Sequence, residues 1–221
     1  MGTSRSLPDD LPHPLETRIS ELRAKLQNSE PHRLTARTGA RYQPRDEGGG
    51  TFQLPIWGEQ VTVEFPDFTA HNSLTGTPVD TFTLALLAYY FHTSDGTPKS
   101  GNYIAFTELP DGQFYTQAFQ GYTGGELVRV FGNDSGAFVG AAEFLGGRRE
   151  LFGNAAYSFQ VLPRVSIMVV CWLGDEDFPA SYRVLFDSTI NHHLPTDACA
   201  IIGSTITRRL IKTHHDAQDV V

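Results

Sequence analysis

The apolar residues Leu15, Ile19, Leu22 and Leu26 recur at intervals of four, three and four, which marks one face of an amphipathic helix. Pro14 suits its first turn, and Glu21 with Lys25 supplies a favourable i,i+4 pair. The stretch that follows is rich in Gly, Arg and Asp, carries no period, and ends at Gly48-Gly49-Gly50; it reads as a mobile connector. Two short strands come next, Phe52–Ile56 and Gln60–Phe65. In the second, Val61, Val63 and Phe65 alternate with Thr62 and Glu64, and Gly58-Glu59 offers the hairpin turn. Residues Val79–His92 are apolar nearly all round, so they predict a helix buried on most sides. Asp80 suits its N-cap, and Asp95-Gly96 its stop.

Tyr103–Leu109 predicts a strand, and Pro110-Asp111-Gly112 a turn. Gly121, Gly124 and Gly125 interrupt the next apolar pattern, which predicts one short helix before Gly121, a second over Gly125–Phe131 and a third over Phe138–Leu145. Tyr157–Leu162, Val165–Leu173 and Tyr182–Phe186 read as strands, the first two parted by Pro163, which cannot donate within a ladder. Thr196 then caps a helix carrying Cys199, Ile202, Ile206 and Leu210. With no regular βαβ alternation, the pattern predicts a single α+β domain: a mainly antiparallel sheet packed against helices, behind an N-terminal amphipathic helix. Residues 1–34 form a flexible leader plus that helix, 35–213 the domain, and 214–221 a disordered tail.

Composition narrows the function classes. At 221 residues the chain can bury a full core without staples. It has no run approaching the roughly 18 apolar residues of a membrane span and no apolar segment of a secretory signal, so a membrane partner is not expected. Met1-Gly2 with Ser6 superficially fits a myristoylation pattern, but the prolines and aspartates around it favour a flexible leader. A net charge of −8 argues against nucleic acid. Arg208, Arg209 and Lys212 gather near the end of the last predicted helix, where cations complement the dipole. Cys171 and Cys199 lie inside apolar patterns as reduced core thiols, as expected of a cytoplasmic protein.

Three features carry candidate chemistry. Gly174-Asp175-Glu176-Asp177 offers oxygen ligands for a hard cation, against the plainer reading of a solvated turn. Asp187 with His192 or His193 suits a transition metal or an acid-oriented base; the plainer reading makes Asp187 bond the backbone near Ser188 and Thr189. If Val165–Leu173 and Tyr182–Phe186 pair as a hairpin, these two groups stand roughly 17–20 Å apart at its opposite ends, too far for one centre. The third feature is aromatic density around glycines: Phe114, Tyr115, Phe119, Tyr122, Phe131, Phe138 and Phe144 can line a pocket for a planar ligand or fill a core. GxSxG, GxxxxGK[ST], HExxH and a GxGxxG after a strand are missing, and the spacing does not decide whether the protein is an enzyme.

The block from Trp172 to Gly203, WLGDEDFPASYRVLFDSTINHHLPTDACAIIG, and the block FTELPDGQFYTQAFQGYTG from Phe106 to Gly124 resemble the C-terminal signature and central element of the family known as domain of unknown function 3786. With Leu86–His92 and the Leu145-Gly146-Gly147 corner, the likeness spans about residues 35 to 212. The resemblance carries Trp172, Asp175, Glu176, Phe178, Asp187, Leu194, Pro195 and Thr196 over as signature positions without roles; one histidine of the pattern corresponds to His192 or His193. It implies a prokaryotic protein without an established activity. Some relatives resemble fusions to a four-cysteine iron–sulfur domain of corrinoid proteins, which a chain with two cysteines lacks. The expectation is an accessory or ligand-binding protein, with a tetrapyrrole or corrinoid pathway as its setting, no assigned cofactor, and either a small-molecule ligand or a protein partner. Alternatives are a metal-dependent enzyme using Asp187 with His192 or His193, and a protein–protein adaptor. Candidate binding residues are Trp172, Asp175, Glu176, Phe178, Asp187, His192, His193, Tyr115 and Tyr122.

Overall fold

A computed structural model describes residues 14–46 and 48–219. The leader and its Met1-Gly2 start lie outside the described residues. Helix α1 (Pro14–Leu26) buries Ile19, Leu22 and Leu26, the stripe its periodicity marks. The following stretch is not a mobile connector but folds into helix α2 (Pro31–Thr38) and strand β1 (Arg41–Pro44). Pro31 in the first turn and the left-handed Gly39 (φ 73°) at the C-cap are the start and stop signals. Only Leu34 and Thr38 of α2 are buried, so no period gives it away.

Strand β1 opens a four-stranded antiparallel sheet with β2 (Gly50–Ile56), β3 (Glu59–Phe65) and β4 (Ala70–Asn72), in that order. Ile56 pairs with Glu59, so the hairpin turn is Trp57-Gly58 rather than Gly58-Glu59. Both turn residues have positive φ, 52° and 84°, as the right-handed strand twist requires of a two-residue loop. Helix α3 (Thr81–Thr93) is apolar all round and buries residues 85–91; the Asp80 carboxylate caps it by accepting from the Phe82 and Thr83 amides.

The second sheet is antiparallel throughout, in the order β5–β9–β8–β7–β6: β5 (Tyr103–Ala105), β6 (Arg148–Glu150), β7 (Ala155–Leu162), β8 (Val165–Trp172) and β9 (Ser181–Asp187). The expected strand at 103–109 stops at Ala105 and passes into a 3₁₀ turn over Phe106–Glu108. Between β5 and β6 run α4 (Gly112–Gln120), α5 (Glu126–Phe131) and α6 (Ser135–Phe144). The glycines expected to separate α4 from α5 do not; Gly121–Gly125 form a π-helical turn that joins them. A Cβ at Gly124 would overlap the Tyr182 carbonyl and the Gln120 amide, which itself donates to the Tyr182 carbonyl at 2.9 Å. Gly124 thus serves close packing on β9, not chain reversal.

Helix α7 (Thr196–Gln218) buries Cys199, Ile202, Ile206 and Leu210 as its period predicts. Pro195 occupies its N-cap, so Thr196 does not cap it, and the helix continues through His214 and His215 to Gln218 where the sequence suggested a patternless tail. One apolar core joins the inner faces of both sheets to α1, α3 and the helices from α4 to α7. Among the described residues no helix is long and apolar enough to cross a membrane.

Candidate functional site

The sequence-predicted residues resolve into three places. Strands β8 and β9 pair from Ile167↔Phe186 to Trp172↔Ser181, which sets the acidic turn at one end of the ladder and Asp187 at the other. At the first place, Asp175 Oδ1 accepts from the amides of Asp177 (2.9 Å) and Phe178 (2.8 Å), and its own amide donates to the Phe178 carbonyl (2.8 Å). Asp175 therefore ties its own loop, while Glu176 and Asp177 face water. The loop is braced from outside, because the Leu173 and Gly174 amides donate to the side chains of Asn154 (2.9 Å) and Asn133 (2.7 Å). Trp172 lies edge-on to Phe152 at 5.9 Å with the Arg183 guanidinium 6.0 Å from its ring centre; Phe178 is exposed.

At the second place Asp187 is 1% exposed, and both of its oxygens are used. Oδ1 accepts from the amides of Ser100 (3.1 Å) and Thr189 (3.0 Å) and from their hydroxyls (3.0 and 2.7 Å); Oδ2 accepts from the Gly101 amide (2.8 Å). Burial pushes this carboxyl up, but the donors at Thr189, Ser100 and Gly101 outweigh it and hold the group below the ordinary carboxylate value. His193, also buried, accepts at Nδ1 from the Ser94 hydroxyl (3.2 Å). Its Nε2 lies 2.9 Å from the Thr97 carbonyl, which can only accept, so the proton sits on Nε2. Burial keeps this ring neutral by lowering its pKa. His192 Nδ1 meets Asp95 Oδ2 at 2.7 Å and the Thr97 hydroxyl at 3.3 Å.

All three side chains thus fasten one segment, residues 94–102 between α3 and β5. A centre made from Asp187 with His192 or His193 does not form: Asp187 is held at Ser100, Gly101 and Thr189, whereas His193 meets Ser94 and Thr97 and His192 meets Asp95 and Thr97. Among the described residues no three His, Cys, Asp or Glu side chains stand together as a metal site.

At the third place the aromatic residues divide. Phe119, Phe131 and Phe138 are core; Phe144 is exposed, and Tyr122 is partly exposed with its ring edge-on to Phe119 at 5.6 Å. Phe114 and Tyr115, on the first turn of α4, are 74% and 62% exposed. They wall a cleft of 440 Å³ completed by Pro110, Asp111, Asn191 and the segment Leu194–Asp197. Local chemistry builds this cleft. Asp111 adopts the left-handed conformation (φ 59°), and Gly112 is obligatory because a Cβ there would overlap the Phe106 carbonyl. The hydroxyl of Thr196, relieved of capping, donates to the Pro110 carbonyl at 2.6 Å and locks the start of α7 to the turn before α4. Among the described residues, the carboxylates lining the cleft are Asp111 and Asp197, and no Lys or Arg lines it.

A family profile described as "Domain of unknown function (DUF3786)" matches residues 30–209, a span that holds all three places. The chain belongs to the DUF3786 family. No curated protein and no solved structure matches it. Of the residues quoted for the resemblance, Asp175 and Asp187 hold loops, Leu194 is core, and Pro195 and Thr196 shape the cleft.

Two residues outside the candidate set need a separate account. Trp57 stands at the tip of the β2–β3 hairpin, and its amide donates to the Val161 carbonyl of β7 at 2.9 Å. The Arg209 guanidinium sits over its ring, 5.4 Å from the centre. A bulky ring at a turn position that favours Asn, Asp or Gly is the sequence signal for Trp57. For Arg209 the dipole explanation hid the signal, because the helix runs on to Gln218 and leaves Arg208, Arg209 and Lys212 more than a turn before its end.

Proposed function

We propose that the protein binds a flat organic ligand in the cleft between the start of α4 and the start of α7, acting as an accessory or carrier rather than by turning the ligand over. The observation that carries this reading is the pair of adjacent rings, Phe114 and Tyr115, held in water over a cleft whose two sides are bolted together by Thr196. Exposing two large rings forfeits apolar burial of about 1.5–3 kcal/mol each, a cost that ligand contact recovers. The volume lies within the usual range for small-molecule sites. Binding without turnover is supported by the way Asp187, His192, His193 and Asp175 are consumed in holding loops. A reducing compartment such as the cytoplasm is supported by the two buried free thiols.

The lining acids, Asp111 and Asp197, favour a neutral or cationic ligand over an anionic one. Within the tetrapyrrole and corrinoid class this favours an amidated corrinoid over a haem with two propionates. Titration with cobalamin, haem and flavin, read by absorbance and by heat, tests the proposal. It predicts saturable binding with cobalamin preferred, and about tenfold or greater weakening by Tyr115→Ala. The absence of any spectral change or heat with all three ligands would rule it out.

A further inference from the structure

The groove beneath the β2–β3 hairpin combines apolar rings with cations that the fold leaves uncompensated. Its walls are Trp57 and Phe82, the latter 49% exposed, and along one side of α7 stand Arg208, Arg209 and Lys212. Two further clefts, of 460 and 180 Å³, open from the same Trp57–Arg209 pair, so three surface depressions meet there. Four arginines elsewhere meet carboxylates, Arg18 with Glu21, Arg45 with Glu64, Arg129 with Glu126 and Arg148 with Glu150, and the partly buried Arg23 and Arg164 donate to the carbonyls of Phe68 and Ala36. Among the described residues Arg208, Arg209 and Lys212 form neither an ion pair nor a hydrogen bond.

Of the two acids close by, Asp80 lines the groove itself and Glu59 the neighbouring cleft, and both are already engaged. Asp80 gives its carboxylate to the cap of α3, accepting from the Phe82 and Thr83 amides and the Thr83 hydroxyl, and Glu59 accepts from the Asn72 amide group at 3.1 Å. Half-burial of Arg209 disfavours its charge, and Glu59 offsets this only partly from a distance. A guanidinium at this depth keeps its proton, so the fold carries a partly desolvated cation supported by an indole face and, from a distance, by Glu59. The helix end cannot account for it, since Gln218 lies more than a turn further on.

From this arrangement we propose that the groove is a second binding site, for a small organic anion with a flat apolar body. The anionic group, a carboxylate or a phosphate, is received by Arg209 with Arg208 and Lys212. The apolar body rests against Trp57 and Phe82. The strained backbone of Trp57 (φ 52°) and its amide bond to β7 fix the indole where Arg209 meets it, so the site is preorganised.

Isothermal titration with 1-naphthyl phosphate and 1-naphthoate, beside 1-naphthol and inorganic phosphate as half-ligands, tests this on the full chain, with indole fluorescence as a second readout. At least one naphthyl anion binds saturably at one site and weakens with salt, and it binds at least about tenfold tighter than either half-ligand. Which anion binds tighter tells phosphate from carboxylate. Arg209→Gln weakens binding about tenfold or more. Should that variant fail to fold, the double variant Arg208→Gln/Lys212→Gln, at exposed positions, shows the same direction with unchanged thermal stability. Tyr115→Ala leaves this binding untouched, which separates it from the α4–α7 cleft. Absence of saturable binding by both anions, or affinity unchanged in both the Arg209→Gln and the double variant, overturns the proposal.

Discussion

Asp187 is the residue on which local physics and family signature meet. A carboxylate taken out of water must be met by donors, and five reach it from Ser100, Gly101 and Thr189. Asp187→Asn keeps the shape but turns an amide donor toward N–H and O–H donors, so it should cost roughly 2–4 kcal/mol in urea unfolding; a cost within about 0.5 kcal/mol contradicts the assignment. Titration works in the same direction at each fastening. His193 has a pKa below the ordinary imidazole value of 6.5, so the unfolded chain takes up a proton first as pH falls. Its contribution is complete above about 6.5 and is lost below. Asp187, and Asp95 held down by His192, are likewise depressed below 3.8, and their contributions vanish at lower pH still. Stability measured from pH 8 to 3 should therefore fall in two stages, and His193→Gln should flatten the first. A profile flat between pH 7 and 5 in the native chain would contradict the neutral, buried imidazole.

At the scale of elements, the segment from α4 to α5 shows how a glycine can be misread. The three glycines look like helix breakers, yet the backbone stays right-handed and widens into a π turn so that Gly124 can touch β9. Gly124→Ala should destabilise by about 2 kcal/mol or more, because its methyl group meets a strand carbonyl that cannot yield. Gly121→Ala, with open space at its Cβ, should be neutral or stabilising by up to about 1 kcal/mol. Equal effects of the two in thermal denaturation would remove the packing explanation. Apolar patterning revealed the elements that bury a stripe or a run, namely α1 and α7 by their period and α3 and the β7–β8–β9 strands by their largely apolar character. It passed over α2, whose two buried residues form no stripe, although Pro31 and Gly39 marked its ends. The short strands β1, β4 and β6 also carry too few residues to show an alternation.

For the whole molecule, the separation of the acidic turn from Asp187 was legible, since it follows from hairpin length alone. The bond from Asp187 to the Thr189 backbone was legible as a strand-end turn, but its partners Ser100 and Gly101 and those of His192 and His193 were not, because residues 94–102 approach through the tertiary fold rather than through any sequence spacing. The Trp57–Arg209 groove was hidden for a similar reason: it joins a hairpin tip to the middle of a helix that begins far along the chain. The molecule that emerges has Asp175, Asp187, His192 and His193 in the framework, and exposed rings at two separate clefts on α7.

Hydrogen exchange followed by mass spectrometry on the native chain and on Asp187→Asn tests that division of labour most directly. Faster exchange should be confined to residues 94–104 and 187–190, while the amides of 110–116, and the cobalamin affinity that depends on Tyr115, stay as they were. Unchanged protection over 94–104 together with lost ligand binding would show that Asp187 meets a ligand rather than a loop, and would contradict the account.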